Sequence, residues 1–143
     1  MEPPVRLVAI ANYTISSLTL GEGSFSKVKV AKHRVLQKNV ALKIIKQSSI
    51  KDPYVAKHVE REAKILSVLL HNNVVRLFEV AKTNGFYCLA MEYYAGGSVC
   101  EVVQAKGKLP ETQARLYFQQ LVQGLRYIHF KVKIFILIPL WLD

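Results

Sequence analysis

Aspartate is almost missing from this chain. Asp52 and Asp143 are the only two among 143 residues, and the second is the last residue. Chemistry that needs a pair of well-placed aspartates is therefore nearly excluded before any motif is read. Cysteine is equally scarce. Cys88 and Cys100 form no C-x-x-C spacing and no framework, which points to a reducing compartment. Long apolar runs are lacking too: Ile134–Leu142 is nine residues interrupted by Pro139, against the ~20 needed to span a bilayer. Met1-Glu2-Pro3-Pro4 leads into no basic-then-apolar pattern, so no secretory signal is expected there. These absences predict a cytoplasmic or nuclear protein without a membrane span.

What the chain does have is positive charge. Twenty Lys and Arg stand against ten Asp and Glu, a net charge of +10, and the segment from Lys27 to Lys64 alone contributes 11 basic and 3 acidic residues. Such a segment is either a solvated face or a surface for polyanions. Within Lys29 to Lys64 only His33, Tyr54 and His58 carry rings, too few for a base-stacking platform, so a nucleic-acid partner is disfavoured.

The pattern predicts α+β architecture in a length near that of one domain. Tyr13 to Leu20, Lys27 to His33 and Val40 to Ile45 alternate and are rich in β-branched residues, with a turn-rich Gly21-Glu22-Gly23-Ser24-Phe25-Ser26 connection between the first two. Asp52-Pro53 marks a helix start, and from Tyr54 to Leu70 the residues Val55, Val59, Ala63, Leu66 and Leu69/Leu70 recur at helical spacing. Val74 to Val80 and Phe86 to Met91 read as two further strands. After Gly96-Gly97 the chain turns helical, and Pro110 opens a long helix whose stripe is Ala114, Tyr117/Phe118, Leu121/Val122, Leu125 and Ile128.

Three features carry chemistry. Glycines Gly21 and Gly23 in a hairpin let backbone approach phosphate oxygens, although two hairpin glycines are more often a plain turn. Lys43, in Val40-Ala41-Leu42-Lys43, shares a strand face with the small Ala41; it either points to solvent or meets an anion. Glu62 lies on or beside the apolar stripe of its helix and wants a cation, either Lys43 or a base on its own helix. Each feature alone is weak. Their order and spacing together are strong.

Residues 13 to 129 resemble the first half of a eukaryotic protein-kinase domain. The resemblance rests on Leu20-Gly-Glu-Gly-Ser-Phe-Ser-Lys-Val28, Val40-Ala-Leu-Lys43, Arg61-Glu62, His71-Asn-Asn-Val-Val-Arg-Leu77, Met91-Glu-Tyr-Tyr-Ala-Gly-Gly97 and Ala114–His129. The last stretch is similar to the calcium/calmodulin-dependent and AMP-activated group of Ser/Thr kinases. Lys51–Lys57 resembles the hormonally up-regulated Neu-associated kinase. The resemblance implies a small lobe at 13–97, a five-stranded antiparallel sheet with one long helix. The start of a large lobe would follow at 98–129, and a non-family apolar tail at 130–143. It implies ATP as nucleotide, covered by Leu20, Gly21, Glu22, Gly23, Ser24, Phe25, Ser26 and Val28, with Lys43 on its α/β-phosphates and Glu62 holding Lys43. Met91 would be the gatekeeper. The backbone of Glu92 and Tyr94 would bond adenine, and Ala41 with Leu20 and Val28 would pack on its faces. Ser26 replaces the third loop glycine, and Ser98 stands where many relatives carry an acid for the ribose.

One departure outweighs these. After Tyr127-Ile128-His129 the family pattern continues to H-R-D, an asparagine and D-F-G; here Phe130–Asp143 contains none of them. The Mg²⁺ expected for the family would lack its protein ligands, no catalytic residue is assigned, and His129 is expected to end the helix. Lys131 and Lys133, alternating with Phe130, Val132 and Ile134, suit a strand. The expectation is a kinase shortened before its catalytic loop, its tail a replacement C-terminus, which holds nucleotide but does not transfer phosphate alone. The alternative is a non-catalytic module competing for a kinase's protein partners.

Overall fold

The computed structural model describes residues 9–23, 25–50, 53–83 and 85–137. Ser24, Asp52 and Asp143, and the tail beyond Leu137, lie outside them. In chain order the elements are β1 (Ala9–Ile10), β2 (Tyr13–Glu22), β3 (Ser26–His33), β4 (Asn39–Lys46), a 3₁₀ turn (Gln47–Ser49), α1 (Pro53–Val68), β5 (Leu77–Thr83), β6 (Phe86–Glu92), α2 (Val99–Lys106) and α3 (Glu111–Leu137). The α+β architecture expected from the pattern is present. The strands form one antiparallel sheet in the order β1-β2-β3-β4-β6-β5.

The sheet has six strands where five are expected. The additional one, β1, is two residues long and pairs Ala9 with Thr14 and Ile10 with Tyr13. Ala11 takes a left-handed φ of 48° to make the reversal, a conformation that costs an alanine energy. Ile10, 4% exposed, offsets that cost by joining the core.

Two compact units divide the chain: Met1–Ser67 with Leu77–Tyr93, and Val68–Arg76 with Tyr94–Asp143. In the first, strand alternation sends residues to two separate cores. Ile10, Tyr13, Ala31, Val40, Leu42, Ile44, Cys88 and Ala90 pack on one side of the sheet. Ile45, Ala63 and Leu89 pack on the other, with Val59 and Leu66 of α1 and with Tyr87 and Met91 of β6 beside them. The spacing Val59, Ala63, Leu66 is the helical stripe expected of α1. Leu42 and Leu89 are fully buried, each worth ~1.5–3 kcal/mol of transfer free energy.

In the second unit α2 starts on a capping box. The Ser98 hydroxyl accepts from the Glu101 amide, and the Glu101 carboxylate accepts from the Ser98 amide at 2.6 Å. The helix stops at Gly107, whose φ of 78° suits glycine. Helix α3 seats on the 70–73 segment. Its Tyr127 ring stacks on His71 with centroids 4.9 Å apart, the Tyr127 hydroxyl accepts from the Leu70 amide, and the Gln123 side chain accepts from Asn73.

Two expectations about the end of α3 are corrected. His129 does not end the helix, and residues 130–134 are not a strand: α3 runs on to Leu137. A helix already nucleated gains one hydrogen bond per added residue, whereas a strand there would need a partner edge. Leu116, Phe118, Leu121, Val122, Leu125 and Phe130 of α3 are exposed. Among the described residues, no helix is long and apolar enough to cross a membrane.

Candidate functional site

The β2–β3 hairpin carries the glycines. Gly21 pairs with Val28 and Glu22 with Lys27, and the second pair is also an exposed ion pair at 3.0 Å. The Gly23 amide donates to the Ser26 carbonyl at 2.8 Å and closes the turn. A Cβ built on Gly21 would meet nothing within 4 Å, and one on Gly23 would meet only Ser26, its hydroxyl oxygen at 3.5 Å. The hairpin backbone is therefore unobstructed, the condition for N–H groups to approach an anion. Leu20 and Phe25 are exposed.

Register then gathers the other residues. Val28 lies opposite Lys43, Val30 opposite Ala41, and Ala41 opposite Met91. Directly opposed residues of an antiparallel pair project to one face. Gly21, Val28, Ala41, Lys43 and Met91 consequently occupy the same side of the sheet, the side on which α1 packs. Lys43 Nζ donates to Glu62 Oε1 at 2.6 Å. Of the two partners the sequence allows for Glu62, the one across the fold, Lys43, is in hydrogen-bond contact with it.

The energetics of that pair are specific. Both side chains are partly shielded, the Lys43 side chain 22% exposed and that of Glu62 42%. An ion pair with this much solvent contact is worth ~0–1 kcal/mol of stability. Its effect is directional: it fixes an ammonium on an apolar face beside Val28 and Ala41. Tyr87, in the same half of the unit, has its phenol pKa raised by burial and then by the Glu60 and Glu62 carboxylates. Negative charge on α1 thus reaches into this side of the sheet.

Glu92 ends β6 opposite Val40, and Tyr94 opens the second unit, with its side chain exposed. Among the described residues, no three His, Cys, Asp or Glu side chains converge where a metal ion could sit.

The Ser98–Glu101 capping box has a sequence signal, Ser-x-x-Glu ahead of an apolar run, which the comparison of Ser98 with a ribose-binding acid leaves unused. Hydrogen bonds from the Ser98 amide and then its hydroxyl hold the Glu101 carboxyl below its ordinary pKa.

Comparison with known proteins gives the family. The chain is 42% identical over 125 residues to a SNF1-related protein kinase catalytic subunit alpha of Arabidopsis thaliana, covering 87% of this chain and 25% of that protein. It is 37% identical over 121 residues to the hormonally up-regulated neu tumor-associated kinase of Homo sapiens, covering 84% of this chain and 17% of that protein. The mouse form of that kinase matches to the same extent. The chain thus spans a quarter or less of the length of these curated relatives. The protein kinase domain model matches residues 15–136, past His129 and over most of the described helix α3. With that match over most of its length, the chain belongs to the protein kinase domain family.

Proposed function

We propose that this chain is the nucleotide-holding part of a Ser/Thr protein kinase, the enzyme class that moves a phosphoryl group from ATP to protein hydroxyls. The observation that carries the reading is the 2.6 Å Lys43–Glu62 contact on the sheet face shared with Gly21, Val28, Ala41 and Met91. A lysine pinned there is placed to meet phosphate charge. On this reading Leu20 to Ser26 and Val28 cover ATP, Ala41 and Met91 bound the adenine end, and Glu92 and Tyr94 offer backbone to the base. The small lobe then corresponds to 13–97 and the start of the large lobe to 98–129.

Transfer requires more than holding. Catalysis rests on a group that orients the hydroxyl and on carboxylates that keep Mg²⁺ between the β- and γ-phosphates. These 143 residues contain neither H-R-D nor D-F-G. On this reading the chain by itself holds nucleotide without turning it over. The test is titration of the purified chain with a fluorescent ATP analogue, beside a transfer assay with Mg-ATP and a generic Ser/Thr peptide. Saturable binding that Lys43→Ala abolishes, with transfer at background, is expected. Transfer above background that Lys43→Ala removes would overturn the subtraction.

The alternative, a non-catalytic module that competes for a kinase's protein partners, draws on the apolar residues exposed along α3. Partner capture that survives Lys43→Ala and fails on substitution of Phe118 and Leu121 would favour it.

A further inference from the structure

We propose that the β3–β4 turn docks the first unit onto an anionic lipid surface. The turn, residues 33–38, presents Val35 and Leu36 at 79% and 65% exposure, among the described residues the most outward aliphatic pair that is adjacent in the chain. Two neighbouring aliphatics in water are an unfavourable arrangement that a loose turn would relieve by folding them inward. This turn is built to prevent that. The His33 amide donates to the Lys38 carbonyl and the Gln37 amide to the His33 carbonyl, at 2.9 and 2.8 Å. The Leu36 amide donates to His33 Nδ1, the Gln37 side chain donates to the Arg34 carbonyl, and the Arg34 amide donates to the Asn12 carbonyl. Gln37 takes a left-handed φ of 56° to close the loop. The aliphatic tip is held out by its own backbone.

Its surroundings are cationic. From Gly23 to Lys51 the sequence contains no Asp or Glu and eight Lys or Arg, and Lys32, Arg34 and Lys38 are exposed around the tip. Of the carboxylates on the other strands, Glu22 of β2 pairs with Lys27 at the opposite end of β3, Glu79 of β5 accepts the Tyr13 hydroxyl, and Glu92 sits on β6 opposite Val40. An apolar point ringed by lysine and arginine matches a bilayer surface, with aliphatic carbon entering the acyl boundary and cations meeting headgroup phosphate. Nucleic acid fits less well. It offers the charge but asks for aromatic rings to stack on, and the one ring of the turn, His33, is already engaged by the Leu36 amide and the Tyr13 edge.

Vesicle flotation of the full chain tests this, because aggregates sink and do not float. The chain should float with phosphatidylcholine vesicles containing about one-fifth phosphatidylserine and not with phosphatidylcholine alone, and added salt should weaken the association. Val35→Ser with Leu36→Ser should weaken binding roughly tenfold. Arg34→Gln with Lys38→Gln should weaken it by about fivefold per cation removed. Circular dichroism controls for folding, and since the two double variants share no residue, either can carry the test. Absence of flotation, equal flotation with neutral vesicles, or wild-type binding by a folded variant overturns the proposal. So does tighter binding to poly(U) than to the anionic vesicles at the same salt.

Discussion

Gly124 of α3 stands against the backbone of Asn73 so closely that a Cβ on it would lie 2.7 Å from the Asn73 carbonyl oxygen. Glycine inside a helix costs ~1 kcal/mol relative to alanine, so propensity alone favours Gly124→Ala. The contact reverses the sign. The obstructing atom belongs to backbone, in a segment also held by the Tyr127–His71 stack and the Asn73–Gln123 hydrogen bond. Overpacking of this kind costs ~1–3 kcal/mol. The variant is expected to have a lower urea midpoint than the parent; an unchanged or higher one would show that α3 is not pressed against residues 71–73.

The Lys43–Glu62 pair predicts a separation of stability from binding. Because the pair is partly solvated, Glu62→Gln should change unfolding free energy by no more than about 1 kcal/mol. Nucleotide affinity should fall further, on the order of tenfold, because the lysine is no longer held in place and charge-assisted contacts are worth ~1.5–3 kcal/mol. Lys43→Ala should lose affinity altogether. Parallel urea and nucleotide titrations check both; equal losses in the two would mean that the pair serves the fold alone.

How far the sequence reveals these elements depends on what fixes each one. The strands β2 to β6 and helix α1 are legible because period-2 and period-3.6 patterns are written over seven residues or more. Two-residue β1 has no period to read. Glu62 is legible as a carboxylate near an apolar stripe, but only the register Val28↔Lys43 and Ala41↔Met91 shows which cation it meets. Phe130 to Ile134 is misread because Phe130, Val132 and Ile134 alternate like a strand, whereas the chain enters the segment already helical. Gly124 has a sequence signal, a lone glycine in a long helix, that goes unexplained until Asn73 is seen beside it.

The two cysteines should react differently. Cys88 is fully buried, and burial pushes its thiol pKa up to about 11; Cys100 is exposed. The thiolate is the nucleophile, so at neutral pH Cys88 is both shielded and protonated. A thiol reagent should modify one site in the native chain, located to Cys100 by peptide mapping, and a second only in denaturant. Rapid native modification of Cys88 would mean that the core around Leu42 and Ala90 opens readily.

Alkaline pH should loosen the first unit through Tyr13. Its ring is 2% exposed, its hydroxyl donates to Glu79 Oε2 at 2.9 Å, and its edge meets His33 with centroids 5.1 Å apart. Burial first, and then the hydrogen bond to Glu79 and that carboxylate's charge, raise the phenol pKa from 10.0 to about 12. In the unfolded chain Tyr13 loses its proton near the ordinary value, so between these two limits the native state binds more protons than the unfolded one. Stability from this group is therefore complete below about pH 10 and falls as pH climbs toward the native pKa. Urea midpoints measured from about pH 8 upward should decline more steeply in the parent than in Tyr13→Phe. The variant itself should be less stable at neutral pH by ~0.5–1.5 kcal/mol, since Glu79 loses its donor. Tyrosines elsewhere titrate in both proteins, so only the difference between the two curves reports on Tyr13. Parallel curves would show that the Tyr13–Glu79 contact does not persist in solution.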